Sequence, residues 1–282
     1  MNTAIITGAD GGMGIEITRA VALEGYHVIM VCLDKTKAEK KVKDESIEGD
    51  ISIKQCDLSS VSQVEALCRS LLSELTSIDL LMNNAGTMCT HFSRTPEGFE
   101  ETVAVNYLAP FILCSRLSPI MHRGSRIVNM VSCTYAIGHV GPHFFSNGSE
   151  SRIFWRIPVY SNTKYALWML TFELSNRLKD KGISVNAADP GVVSTDIIRM
   201  HAWFDPLTDI FFRPFIRKPR KGADTAIRLL LDLNKQAITG CMFYSGRQRT
   251  LKPQYTDRKL SGQLWDSTQR ALDSIVLTTS PS

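Results

Sequence analysis

The segment TAIITGADGGMG, residues 3–14, joins a short apolar run to a glycine-rich turn and leads into an amphipathic stretch at 13–24. Gly8, Gly12 and Gly14 place no side chains between the backbone and a ligand, so a pyrophosphate can approach the N-terminus of the following helix. The order of strand, glycine turn and helix therefore predicts a dinucleotide-binding α/β unit. A glycine-rich turn without a ligand is the alternative.

The same alternation of elements continues along the chain. Further short runs are apolar on both faces, as strands of a buried parallel sheet are, and amphipathic stretches separate them. This pattern predicts one α/β domain with a doubly wound, mostly parallel sheet of seven strands and right-handed crossovers. The predicted strands are 3–7, 27–33, 51–56, 78–84, 125–131, 183–188 and 241–245, and the predicted helices are 13–24, 60–75, 97–117, 159–180 and 222–233.

Composition narrows the class of protein. The 282 residues are 44% hydrophobic and 21% charged, which is typical of a globular chain, and the net charge of +4 gives no indication of a nucleic-acid partner. The seven cysteines form no CxxC motif and lie mostly in apolar runs, which predicts reduced thiols. A strand begins almost at Met1, and no stretch of 18 apolar residues occurs, so we expect neither a signal peptide nor a spanning helix. These features predict a cytoplasmic protein.

Two polar positions follow strands at the carboxyl edge of the predicted sheet, where such folds bind ligands. Asp57 follows the third strand and could accept a hydrogen bond from an adenine amine or could cap the next helix, and both interpretations remain open. The sequence NNAG at 83–86 ends the fourth strand with a small, polar corner suited to a cofactor, although a simple turn would look the same.

Tyr160 and Lys164, in the sequence YSNTK, are four positions apart and share one face of a helix. A phenol has a pKa of about 10, which makes it a poor base near neutral pH. A cation about 4 Å away, at an effective dielectric constant of ~20, stabilises the phenolate by ~4 kcal/mol. Before desolvation opposes it, that energy lowers the pKa by up to roughly three. The pair is therefore suited to proton transfer, whereas the motif alone is equally typical of a surface helix.

Together, TGxxxGxG at 7–14, NNAG at 83–86, a serine after the fifth strand and YxxxK at 160–164 resemble the short-chain dehydrogenase/reductase family. The resemblance extends from about residue 3 to residue 250. It implies a Rossmann-type fold and an NAD- or NADP-dependent oxidoreductase that interconverts a primary or secondary alcohol and its carbonyl. A non-catalytic protein that senses NAD(P) is the alternative from another class.

The resemblance also implies a role for each motif residue. Tyr160 matches the catalytic acid/base, and Lys164 matches the lysine that holds the nicotinamide ribose and lowers the tyrosine pKa. Ser132 matches the serine that binds the substrate oxygen, and Asn106 matches the asparagine that organises a proton-relay water. The implied coenzyme contacts are Thr7, Gly8, Gly12, Met13, Gly14, Leu33, Asp34, Asp57, Leu58, Asn84, Ala85, Gly86, Tyr160, Lys164, Pro190, Gly191, Val193 and Thr195.

Coenzyme preference depends on the end of the second strand. Relatives that select NADP often carry arginine at the position of Leu33, and relatives that select NAD often carry aspartate at the position of Cys32. Asp34 lies near where a ribose-binding acid is expected and would repel a 2′-phosphate, whereas Lys35 and Lys37 could attract one. The balance favours NAD.

Two segments interrupt the alternation. The inserted loop 136–158 separates Ser132 from Tyr160 by 28 positions and, like 206–226, resembles retinol dehydrogenases, which implies a lipophilic, steroid- or retinoid-like substrate. A small or biosynthetic ketone is the alternative. His139 and His143 lie in this loop, and because Gly141 and Pro142 break any helix there, we expect no metal site.

The segment 196–221 is aromatic and basic. It could form a lid over an apolar substrate or a packed helix pair, and it could also contact a lipid surface. We expect residues 1–250 to form the dehydrogenase domain and residues 251–282 to be a C-terminal extension of it. The expected partners are a small-molecule substrate and further copies of the chain, as a dimer or tetramer, with no nucleic acid.

Overall fold

An eight-stranded sheet runs through the computed structural model, which describes residues 2–141, 144–146, 154–191, 218–235 and 237–279. The strand order is β3-β2-β1-β4-β5-β6-β7-β8, and every neighbouring pair is parallel except β7 and β8. The strands are β1 Thr3–Thr7, β2 His27–Cys32, β3 Ile51–Gln55, β4 Ile78–Asn83, β5 Met121–Met130, β6 Ser184–Asp189, β7 Met242–Tyr244 and β8 Arg247–Gln248.

The predicted doubly wound, mostly parallel sheet is confirmed, and all seven predicted strands are present. The predicted strand count is one too low, because β8 has only two residues and both are exposed. It follows a tight turn in which Ser245 and Gly246 both have positive φ angles, of 51° and 72°. A two-residue edge strand has no hydrophobic period that sequence reasoning could detect.

Eight α-helical segments flank the sheet in the described part of the chain. They are α1 Gly12–Leu23, α2 Lys35–Asp44, α3 Val61–Glu74, α4 Glu101–Val103, α5 Ala109–Leu117, α6 Arg156–Arg177, α7 Pro219–Leu231 and α8 Arg258–Thr279. A π-helical turn, Ala104–Leu108, joins α4 to α5. Two of these helices were not predicted from the sequence. In α2, Ala38 is the only buried residue, so no apolar period marks the helix. In α8, the buried Leu264 and Leu272 do have helical spacing, but the helix was still not predicted.

The apolar core lies in two layers, one on each face of the sheet. One layer contains α1, α2 and α7, and the other contains α3, α5, α6 and α8. In the second layer, the Trp265 ring of α8 lies 4.6 Å from the Phe111 ring, and the Tyr107 hydroxyl lies 2.7 Å from Thr268 Oγ1. Burying Leu264 contributes on the order of 2 kcal/mol. The last helix thus covers α5 and α6.

The segment Glu101–Ile120 is long and apolar enough to cross a membrane, with a mean hydropathy of 1.3, but 72% of that window is buried within the domain. A core helix of a globular protein has these properties, so the segment is weak evidence for a membrane span.

The strand order positions the site. β1 lies between β2 and β4, so the chain direction across the sheet reverses there and a crevice opens at the carboxyl ends of the strands. The loops after β1, β2, β3 and β4 meet at this crevice.

Candidate active site

A cleft of about 350 Å³ occupies the crevice. Ten of the residues predicted to contact the coenzyme line it: Gly8, Gly12, Met13, Gly14, Leu33, Asp57, Leu58, Asn84, Ala85 and Gly86. Thr7, Asp34, Tyr160, Lys164, Pro190 and Gly191 do not line the cleft, and Val193 and Thr195 lie outside the described residues.

The glycine-rich turn is packed so closely against the rest of the protein that two of its positions admit no side chain. Gly8 has a φ of +57°, and a Cβ there would lie 2.9 Å from the Ala85 Cα atom. A Cβ on Gly14 would collide with the Gly8 carbonyl oxygen. Gly11, the N-cap residue of α1, makes no side-chain capping bond, and the first turn of α1 has no acidic side chain. Amide groups at such a helix end can bind an anion, so the turn fits a pyrophosphate.

Thr7 acts behind the cleft wall. Its hydroxyl accepts hydrogen bonds from the amides of Asn84 and Ala85, at 3.1 Å each. The Asn84 side-chain amide donates in turn to the carbonyl oxygens of Thr7 and Gly8, at 3.0 Å each. These bonds fix the corner after β4 to the glycine turn, which is a positioning function that the motif alone does not reveal.

Asp57 lies at the cleft but does not cap the next helix. Ser60 is the N-cap of α3, and its hydroxyl accepts from the Gln63 amide at 3.4 Å. The Asp57 carboxylate instead accepts from the amide and hydroxyl of Ser59, at 2.9 and 2.7 Å. The capping interpretation is therefore wrong, and contact with an adenine amine stays a prediction.

Asp34 faces the start of α2 rather than the cleft. It is the N-cap of this helix, and its carboxylate accepts from the Lys37 amide at 3.0 Å. This backbone hydrogen bond is the main reason why the Asp34 pKa lies below its ordinary value. The Lys37 ammonium lies 3.4 Å from the same carboxylate, and that of Lys35 lies 3.8 Å from Glu39. Both lysines that could attract a phosphate therefore already have acidic partners.

Tyr160 and Lys164 lie side by side on α6, as the motif predicts. The buried Lys164 ammonium donates to the Met130 carbonyl oxygen at 3.0 Å, and it lies 5.5 Å from the centre of the Tyr160 ring. The hydroxyl of Ser132, two residues after the end of β5, hydrogen-bonds the Tyr160 phenol. Three of the four predicted catalytic side chains thus meet at one point.

The expected lowering of the Tyr160 pKa is wrong. Burial raises this pKa to about 12, and the Ser132 hydrogen bond only partly opposes the increase. Burial also lowers the Lys164 pKa to about 8. The ammonium lies near the face of the phenol ring and is bonded to a carbonyl, so desolvation outweighs its attraction for a phenolate.

Asn106, the fourth predicted catalytic residue, lies in the π-helical turn and is completely buried. Its Oδ1 accepts from the Thr87 amide at 2.7 Å, while Nδ2 donates to the Thr87 carbonyl at 2.8 Å and to Thr163 Oγ1 at 3.0 Å. Both amide hydrogens are therefore used within the protein. The side chain joins the loop after β4 to α6, and its role in a proton relay stays a prediction.

Gly86 lies between these groups. A Cβ at this position would lie 3.2 Å from the Lys164 ammonium nitrogen and 3.3 Å from Asn106 Oδ1. The absence of a side chain therefore lets the cleft wall approach the catalytic groups closely.

Sequence reasoning missed an ion pair beside the catalytic groups. Asp189, the last residue of β6, is completely buried and accepts from the Gly191 amide at 2.9 Å. Arg249, just after β8, places Nη1 3.5 Å from the Asp189 carboxylate and its guanidinium 5.0 Å from the Tyr244 ring centre. The Asp189 charge contributes to the raised Tyr160 pKa. A charged residue ending the apolar strand SVNAAD was the available signal.

Comparison with known proteins places the chain among nicotinamide-dependent enzymes. A family model described as short chain dehydrogenase matches residues 2–202. Mouse retinol dehydrogenase 13 is 30% identical over 99% of this chain and 86% of its own length. Human retinol dehydrogenase 12 is also 30% identical, over 93% of this chain and 83% of its own length.

Solved structures share the architecture. A protein from Mycobacterium paratuberculosis superposes with a TM-score of 0.76 at 24% identity, covering 96% of this chain and 93% of that one. A dehydrogenase/reductase from Sinorhizobium meliloti gives a TM-score of 0.67 at 26% identity, with coverages of 86% and 92%. A blue fluorescent protein from a metagenomic library, in complex with NADPH, gives 0.68 at 24% identity, covering 86% of this chain and 95% of that one, and this likeness shows the fold alone.

Proposed function

The chain belongs to the short-chain dehydrogenase family, in its retinol dehydrogenase-like branch, and from that membership we propose a specific reaction for it. It is an NAD(P)-dependent alcohol dehydrogenase or carbonyl reductase. We propose that its substrate is a lipophilic alcohol or carbonyl of retinoid or steroid size, and that NAD is its preferred coenzyme. One observation carries the catalytic assignment: Tyr160, Lys164 and Ser132 converge beside a cleft that fits a dinucleotide.

The nicotinamide coenzyme, when bound, supplies or accepts the hydride. Tyr160 holds its proton at neutral pH because burial raises its pKa to about 12, so its phenol can donate that proton to a carbonyl oxygen during reduction. Ser132 positions the same oxygen through its hydroxyl. Lys164 would hold the coenzyme ribose, and its charge would help to stabilise the phenolate that alcohol oxidation requires.

Apolar side chains near these groups support a lipophilic substrate. Ile137, in the turn that begins after Ser132, is 69% exposed, and Trp155 and Ile157, at the start of α6, are 66% and 53% exposed. Large exposed apolar side chains grouped near a catalytic centre are typical of a binding surface. Of the proposed lid, 196–221, residues 196–217 lie outside the part of the chain that the structure describes. Its role in covering this surface therefore rests on its sequence alone.

A substrate panel tests the proposal. Retinoid, steroid and three- or four-carbon carbonyl compounds are each offered with NADH and with NADPH while the absorbance at 340 nm is followed. We expect the bulky apolar compounds to be turned over with a higher kcat/KM than the short ones. Coenzyme binding without turnover of any compound would indicate a protein that senses the nucleotide.

We also propose that residues 1–250, with the extension 251–282, act as one catalytic domain in the cytoplasm. All seven cysteines are free thiols, which supports a reducing compartment. We propose a homodimer or homotetramer, and contact with lipid surfaces through 196–221, which carries Arg213, Arg217, Lys218, Arg220 and Lys221. Light scattering during gel filtration and flotation with anionic vesicles test these two properties.

A further inference from the structure

Asp10, in the middle of the glycine-rich turn, lines the coenzyme cleft. The turn is attached to the end of β2, because the Gly8 amide donates to the Val31 carbonyl at 2.8 Å. The next residue, Cys32, is only 2% exposed; its thiol donates to the Asp10 side chain and accepts from the amides of Ala9 and Asp10. The Asp10 carboxylate is therefore held at the carboxyl end of β2.

This position matters because dinucleotide-binding folds place an acid near the end of the second strand, where it accepts a hydrogen bond from the adenosine ribose. β2 itself ends in Cys32, which cannot serve as that acid. Asp34, two residues later, caps α2 and does not line the cleft. Asp10 is the acidic group that the fold brings to this point from a different loop.

The charges around the cleft favour the same role. Among its described lining residues are three acids, Asp10, Asp57 and Glu101, and no lysine, arginine or histidine. The lysines at the start of α2 are paired with Asp34 and Glu39. The described part of the cleft therefore offers no cation to a 2′-phosphate, whereas its carboxylates repel one.

We propose that Asp10 determines coenzyme specificity: its carboxylate accepts from the ribose hydroxyls of NAD and excludes the 2′-phosphate of NADP. Cys32 is the positioning residue that orients this carboxylate. The inference rests on the proposed function, since it assumes a nicotinamide dinucleotide in the cleft.

Equilibrium titration of the full-length protein with NADH and with NADPH tests the proposal without any substrate. The variant Asp10→Asn keeps the size of the side chain and an oxygen that can accept from Cys32. We expect wild type to bind NADH more tightly, and the ratio of the two dissociation constants to move toward NADPH by about 30-fold or more in the variant. The matched control is Asp34→Asn, which removes an equal charge outside the cleft and should change the ratio by less than about threefold.

Two further measurements sharpen the result. Cys32→Ala removes the thiol that orients Asp10, and we expect it to move the ratio in the same direction by a smaller factor. High salt should reduce the selectivity of wild type more than that of Asp10→Asn, because screening acts on the charge. Thermal melting confirms that each variant is folded.

The outcomes separate this inference from the proposed function. If both coenzymes bind and Asp10→Asn leaves their ratio unchanged, Asp10 is not the determinant and the oxidoreductase assignment stands. If Asp34→Asn moves the ratio instead, the ribose acid is Asp34 and the inference is wrong. If folded wild type binds neither coenzyme, the proposed function and the inference both fail.

Discussion

The two ends of the coenzyme cleft are built from different parts of the chain. At the phosphate end, the wall is mostly backbone, and Gly8 and Gly14 function by having no side chain. At the chemical end, the wall consists of side chains in mutual contact, with Lys164 and Asn106 buried and bonded to main-chain groups. We therefore expect the phosphate end to be sensitive to added atoms and the chemical end to removed ones.

The largest effect is expected at the chemical end, from Tyr160→Phe. This change removes one hydroxyl and keeps the ring, so the proton donor is lost while the packing of α6 is retained. Turnover should fall by on the order of 10³-fold. The coenzyme dissociation constant, measured by fluorescence titration, should change by less than about threefold. Retention of most of the activity would show that Tyr160 is not the acid.

The corresponding test at the phosphate end is Gly14→Ala, which adds one methyl group where it collides with the Gly8 carbonyl oxygen. Overpacking of this kind costs typically 1–3 kcal/mol, and here it also displaces the anion-binding turn. We expect coenzyme affinity to fall by at least about 30-fold, corresponding to about 2 kcal/mol.

The control for this variant is Gly262→Ala. Gly262 lies within α8, and a Cβ there meets no atom within 4 Å. Coenzyme affinity should not change, and the free energy of unfolding should rise by about 0.5–1 kcal/mol. Equal losses of affinity in both variants would mean that the glycine turn has no special sensitivity to volume.

Lys164→Met measures by how much the buried Lys164 lowers the free energy of unfolding. The buried Lys164 has a pKa of about 8 instead of 10.5, so the folded state resists its protonation. At pH 7 this corresponds to a destabilisation of the folded state by up to roughly 3 kcal/mol. The methionine variant should gain this free energy of unfolding, minus the contribution of the lost hydrogen bond to the Met130 carbonyl. The unfolded chain binds the proton more tightly, so the stability of wild type rises with pH between about 8 and 10.5.

Urea unfolding at pH 7 and at pH 10 checks this sign. The methionine variant should be the more stable protein at pH 7, and its advantage should shrink at pH 10. Lys179→Met, which removes an exposed lysine, is the matched control. If the difference in free energy of unfolding between Lys164→Met and wild type is the same at pH 7 and at pH 10, the assigned pKa is contradicted.

The smallest predicted effect is at the rim of the phosphate end. Leu33 lines the cleft and is 66% exposed, so Leu33→Arg introduces a guanidinium without repacking the core. A bidentate contact with a 2′-phosphate should increase NADPH affinity by about 10-fold and leave NADH affinity nearly unchanged. Equal gains for both coenzymes would indicate general electrostatic attraction rather than recognition of the phosphate.

Elements and contacts between residues close in the chain could be predicted from the sequence. The first seven strands coincide with short runs rich in apolar residues, so their positions could be predicted to within a few residues, the largest error being the start of β5 at Met121 rather than residue 125. The pair Tyr160–Lys164 was predictable because both residues lie on one helix. In contrast, α2 was missed because it is charged almost throughout and buries a single alanine.

Contacts between distant segments could not be predicted in this way. The pairs Asp189–Arg249 and Asp10–Cys32 depend on which loops the sheet order brings together, and no periodicity encodes that. The direction of the Tyr160 pKa was wrong for a related reason. Charge can be read from a sequence, whereas the desolvation that outweighs it depends on packing.

The C-terminal helix α8 has a consequence for how the chain is made. The eight strands are complete by Gln248, yet Phe111 and Tyr107 contact Trp265 and Thr268, which are synthesised after the whole sheet. A nascent chain that has finished its sheet therefore still exposes an apolar face on α5 and α6. We therefore expect variants truncated before α8 to expose this face and to aggregate.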